Sequence, residues 1–184
     1  MEVYKLNTIN ELAPMPGNLK EVTSSLLWSK LDNLDLIVLY QDKLGSSGAV
    51  FCESPGSSTS YPYIKYEGSG VDSSDASIYY DKISLKSLSD YTKLTFIITN
   101  FSELVLKNPI NFKSYKGILK VLPKISSRED ICFTINISSE ELGDFLILSE
   151  ISIKENSFLL KNINRVVSSE TLKEEIPWAK SLVF

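Results

Sequence analysis

The chain contains no histidine. That single absence removes Ser–His and Cys–His nucleophilic pairs, histidine acid–base chemistry and every His-containing zinc site. Arginine is almost missing too. Only Arg128 and Arg165 occur and the formal net charge is −4, so the chain is poorly equipped to neutralise phosphates and nucleic acid is not an expected partner. The two cysteines, Cys52 and Cys132, are far apart and lack metal-ligand spacing, which reads as two small core or strand residues rather than a disulfide. No phosphate-cradling glycine motif, nucleophile elbow or Cys-x-x-Cys is present. No apolar stretch reaches bilayer-spanning length, so no membrane span is expected. Glu2, Lys5, Glu11 and Pro14 interrupt the region where a secretory leader would need an unbroken apolar core, and the cytosol is the expected location.

The hydrophobic content of 43% and charged content of 23% fall in the ordinary globular range, which argues against disorder and for one folded domain over residues 1–184. Period-two patterning dominates. Val22, Leu26 and Trp28 share one parity, giving a strand over Lys20 to Ser29 with one buried face. Leu34 to Tyr40 is apolar apart from Asp35 and reads as a strand covered on both faces, with Gly48 to Glu53 as its hairpin partner. Further strands are expected at Tyr63 to Tyr66, Ser77 to Tyr80, Leu94 to Thr99 and Tyr115 to Leu122, the last stopped by Pro123. Ile131, Phe133, Ile135 and Ile137 alternate cleanly, and Phe145, Ile147, Ile151 and Ile153 extend the pattern into a hairpin that returns through Phe158 to Val166. Ser54 to Ser60 has loop chemistry. Only Glu170 to Ile176 reads as helix, with Thr171 and Glu174 at capping-box spacing and Pro177 as its stop. Short strands, turn signals and almost no helix predict an all-β fold, an antiparallel two-sheet β-sandwich with a short C-terminal helical segment.

One acidic stretch stands out. Between Glu67 and Asp81 the chain carries Glu67, Asp72, Asp75 and Asp81 with no lysine or arginine, while Gly68 and Gly70 let the backbone bend so that oxygens converge. Ca²⁺ takes six to eight oxygen ligands, and such loops supply them; Asp35 adds a carboxylate if its strand end lies alongside. The plainer reading of the same composition is a solvated surface turn. Glu129-Asp130, Glu140-Glu141 and Glu174-Glu175 are adjacent in sequence and read as solvated surface rather than catalytic pairs.

Three groups of residues together resemble the TerA-like branch of the tellurium-resistance stress-protein (TerD-domain) family. They are the strand ending in Trp28 followed by Asn33-Leu34-Asp35-Leu36, then Tyr61-Pro62-Tyr63-Ile64, then Glu67-Gly68 with its acidic loop. Ser73 to Tyr80, Leu94 to Asn100 and Pro177-Trp178-Ala179 continue the likeness more loosely. The resemblance implies a single TerD-like sandwich, a non-enzymatic stress-response binding or assembly module with protein partners, other stress proteins among them. It also implies a Ca²⁺ site, whose metal-ligand candidates here are Asp35, Glu67, Asp72 and Asp75. Asn33, Ser69 and Gly70 stand where that family places aspartates, so the expected site is degenerate and its Ca²⁺ binding weak or lost, with no cofactor required. The alternative reading is a calcium-dependent ligand- or membrane-recognition module, with Tyr61, Tyr63 and Tyr66 offering a contact face. A carboxylate-only enzyme would need two acids set several Å apart across a cleft, and no pair is marked out for that.

Overall fold

The computed structural model describes residues 1–17, 19–29, 32–124, 131–155 and 157–182. The expectations at Glu129-Asp130 and for the Trp178 side chain lie outside the described residues. Two six-stranded sheets pack face to face. The first holds β1 (Glu2–Leu6), β3 (Glu21–Trp28), β6 (Ile64–Val71), β7 (Tyr79–Lys86), β10 (Ile118–Lys124) and β11 (Ile131–Asn136), in the order β1-β11-β10-β3-β7-β6. The second holds β2 (Leu12–Met15), β4 (Asp35–Asp42), β5 (Ser47–Val50), β8 (Tyr91–Thr99), β13 (Phe145–Lys154) and β14 (Ser157–Val167), in the order β2-β14-β13-β8-β4-β5. A small ladder joins β9 (Ile110–Asn111) to β12 (Leu142–Gly143). Pairing is antiparallel except at one edge, where β1 runs parallel to β11.

The sandwich core forms because each inner face presents every second residue. Val22, Leu26 and Trp28 meet Leu36, Val38, Phe96 and Ile98 across the gap, together with Phe133 and Ile135. Ile147 is buried as expected but on the other side of its sheet. A register shift between Ile147 and Ser149 inverts the parity of β13, so Phe145 and Ile147 face outward while Leu146, Leu148, Ile151 and Ile153 face the inter-sheet core. One extra residue in a strand exchanges its faces, and four isoleucine or phenylalanine positions expected on one face divide between two.

The outward face of the second sheet is covered by α2 (Ser169–Glu175) and the 3-10 turns at Pro177–Leu182, forming a second core of Ile37, Leu39, Ile97, Phe145, Ile147 and Leu172. The cap of α2 is Ser168, whose hydroxyl accepts from the Thr171 N–H at 3.1 Å, rather than Thr171 itself. A five-residue helix, α1 (Phe101–Val105), follows β8 where no helix was expected; Asn100 caps it by accepting from the Glu103 N–H. Strand β7 runs on to Lys86, past the expected end at Tyr80. Strand β10 runs through Pro123, a position matched with Val22 on one side and beyond the last residue matched with β11, where a missing N–H is tolerated. The Ser54 to Ser60 loop is stitched to β6 through Ser57 N–H to Ile64 O and Tyr66 N–H to Pro55 O.

Candidate functional site

The end of the sandwich where β3 crosses to β4 holds two buried carboxylates, Asp81 and Asp35. Strand β4 pairs with β8 from Asp35 onward, but its other neighbour β5 matches only Val38 to Gln41. The backbone of Leu36 is therefore left at an uncovered strand end, inside the protein. Asp81 satisfies it. This residue sits opposite Leu26 on the inner face of β7, is 2% exposed, and accepts the Leu36 N–H at 2.9 Å through one oxygen and the Tyr66 hydroxyl at 2.9 Å through the other. One carboxylate thus ties the two sheets together, and both of its oxygens are engaged.

Asp35, 7% exposed, turns the other way, accepting from the Phe101 N–H at 3.1 Å and from Asn33 Nδ2 at 3.0 Å. Burial raises the Asp35 carboxyl above its ordinary value, with the Glu53 charge adding to the effect against the two hydrogen bonds. Burial likewise pushes Asp81 up to about 6 despite its donors, and the Asp35 charge contributes. Tyr66 is raised by burial as well. Among the described residues neither aspartate is ion-paired with a lysine or arginine.

The other three expected ligands lie elsewhere. Asp72 and Asp75 occupy the tip between β6 and β7, where each folds back on the next turn: Asp72 accepts from the Ser74 N–H at 2.8 Å and hydroxyl, Asp75 from the Ser77 N–H at 2.9 Å and hydroxyl. These local bonds hold both carboxyls below the usual range. Glu67, on the outer face of the first sheet, accepts from the Ser84 hydroxyl at 2.6 Å and Lys65 Nζ at 3.0 Å, which lower its carboxyl too. The four acids are therefore divided among three settings, and among the described residues no group of three or more acids or cysteines is arranged to hold a metal ion. Asn33 works as a donor to Asp35, its Nδ2 lying 3.0 Å from Asp35 Oδ1.

Asp81 and Tyr66 are the residues that reasoning from sequence underrated. The signal was available in the parity of Asp81, Ile83 and Leu85, which places a carboxylate on an otherwise apolar inner face. A second knot, Asp42 with Tyr61, closes the β4–β5 turn. Burial raises the Asp42 carboxyl, but the Tyr61 hydroxyl at 2.9 Å and the Ser46 and Leu44 N–H groups outweigh it and leave the group lowered, while Tyr61, desolvated against that anion, is pushed up to about 12. A hollow of about 640 Å³ is lined by Ile9, Asn10, Glu140, Lys161 and Arg165 among others, and none of the four expected ligands lines it. Two of its charged residues are paired beyond it, Arg165 with Glu175 and Glu140 with Lys113.

Both cysteines are free thiols, Cys52 exposed and Cys132 buried. Burial, then the negative charges of Asp35 and Asp81, raise the Cys52 thiol, and burial raises Cys132. Ellman titration is expected to find one slowly reacting thiol in the native protein at neutral pH and two after denaturation without reductant. A denatured count of zero in a monomer contradicts this.

These elements define an antiparallel β-sandwich with a helical cover, in which Asp81 ties the two sheets while Asp35 and Asp42 hold a helix start and a turn. Comparison with family models, with characterised proteins and with solved structures gives no match to this chain.

Proposed function

We propose that the chain is a non-enzymatic binding and assembly module of the tellurium-resistance stress-response kind, acting in the cytosol on protein partners, in which the calcium loop has become an ordinary hairpin tip. What supports this reading is the division of Asp35, Glu67, Asp72 and Asp75 among three separate hydrogen-bonded settings. Each carboxylate already accepts two donors from its own fold, and Asp81, the most buried, has one donor on each oxygen and is 2% exposed, away from any substrate or cation in solvent. Surface recognition is the role these groups leave open.

A ligand stabilises a fold only as its concentration passes its dissociation constant. Millimolar Ca²⁺ is accordingly expected to leave the melting temperature unchanged, in the parent and in Asp72→Asn alike. A rise that a chelator reverses and Asp72→Asn diminishes overturns the loss of the site. For the stress-response role, deletion of the gene is expected to lower tolerance to tellurite, and a copy carrying Asp72→Asn and Asp75→Asn to restore it; unchanged tolerance on deletion overturns that part.

A further inference from the structure

The ladder register of the first sheet writes a charge pattern on its outer face that composition conceals. Lys5 lies opposite Thr134, Thr134 opposite Lys120, Lys120 opposite Ser25 and Ser25 opposite Lys82, so three lysines stand in one row across five strands, about 10 Å apart with small polar residues between them. A second row sets Lys124 and Lys86 on either side of Glu21. Lys65 adds a sixth cation, bonded to Glu67. A chain of net charge −4 has thus collected lysines on one sheet face, while its acids lie largely in the interior, the loops and the helical cover.

At one end of this face is an apolar notch of about 150 Å³, walled by Leu27, Trp28, Ile78 and Ile118 and flanked by the exposed Lys116 and Lys120. Its volume is that of about five waters, room for one aliphatic side chain. The notch is concave, which suits a side chain that protrudes from a partner and does not suit a flat bilayer. Lysines act as point charges and favour diffuse carboxylates over the bidentate recognition that arginine provides. Asp72, at the neighbouring hairpin tip, is lowered mainly by its bonds to Ser74, with the Lys120 charge adding to the effect.

From this geometry we infer that the outer face of the first sheet docks an acidic protein segment, one aliphatic residue seated in the Leu27–Ile78–Ile118 notch and the flanking aspartates or glutamates facing Lys116, Lys120 and Lys82. The inference rests on the reading of the chain as a binding module and names its partner's chemistry. Central apolar anchors carry most of the binding energy at such contacts, and surrounding charges set on-rate and selectivity.

The test uses the full chain and a capped octapeptide with a single leucine amid aspartates and glutamates, followed by calorimetry. Saturable binding that weakens with salt is expected. Lys120→Glu is expected to weaken it about tenfold, as is replacing the peptide's leucine by serine. Ile118→Ser, checked for a native circular dichroism spectrum, is expected to act like the leucine replacement. No binding, or binding indifferent to both Lys120→Glu and the leucine, overturns the inference, as does a preference for phosphatidylserine vesicles or duplex DNA over the peptide. Failure here with tellurite sensitivity intact on deletion removes the docking face and leaves the module reading standing; binding without tellurite sensitivity does the reverse.

Discussion

Lowering the pH from about 8 to about 5 is expected to stabilise the fold by about 1.5 kcal/mol, on the way to about 3 kcal/mol below the ordinary carboxyl range, through Asp81. Its folded value of about 6 lies above the ordinary 3.8, so the folded chain binds this proton more tightly than the unfolded one. Such a group contributes stability that is complete below the unfolded value and is lost as pH rises through the folded value. Asp35, raised in the same direction, adds to the trend. Asp42, Glu67, Asp72 and Asp75 are lowered and act oppositely, but their contribution is lost only as pH falls through their folded values, leaving the window between about 4.5 and 7 to the buried pair.

Asp81→Asn isolates the charge. Its oxygen can accept the Leu36 N–H and its amide can donate to the Tyr66 oxygen, so the tie between the sheets survives while the anion does not. Urea denaturation is expected to find the variant as stable as the parent near pH 4.5 and more stable near pH 8, with only the shallower slope that Asp35 leaves between. Asp81→Ala strands a buried N–H and is expected to be about 2 kcal/mol less stable than Asp81→Asn throughout. Parallel pH slopes in the parent and Asp81→Asn would sink the assignment.

The sandwich was legible in the sequence because period-two patterning is a local property. Val22, Leu26 and Trp28 announce an inner face without knowledge of what lies opposite, and Ile131 to Ile137 does the same. What escaped depended on non-local facts. The parity inversion in β13 depends on a bulge whose need is set by strands on both sides, and no residue within Phe145 to Ile153 signals it. Strand β1 has four of its five residues exposed and gains its place only by parallel pairing with β11, more than a hundred residues away. Three of the four expected ligands share one acidic stretch with Asp81, yet alternation sends Glu67 outward and Asp81 inward, and the hairpin tip closes Asp72 and Asp75 on their own serines. Sequence proximity gathered them; the pleat separated them.

Removing the helical cover is expected to have the largest effect on this fold. Strands β4, β8 and β13 are apolar on both faces, and Ile37, Leu39, Ile97, Phe145 and Ile147 would meet water if residues 168–182 were deleted. Burial of five such side chains stabilises by roughly 10 kcal/mol, comparable with the whole stability of an ordinary domain. The truncated chain is therefore expected to be insoluble or to lack native β-sheet circular dichroism. Leu172, fully buried, is the anchor within the cover, and Leu172→Ala is expected to cost about 3 kcal/mol in urea denaturation, whereas Lys173→Ala, at a half-buried position beside it, is expected to change stability by less than about 0.5 kcal/mol. The Ser168 cap predicts a smaller step, with Ser168→Ala losing about 1 kcal/mol. A soluble, cooperatively unfolding truncation would mean that the second core is dispensable, and that the outer face of the second sheet is a surface that the C-terminal segment merely shields.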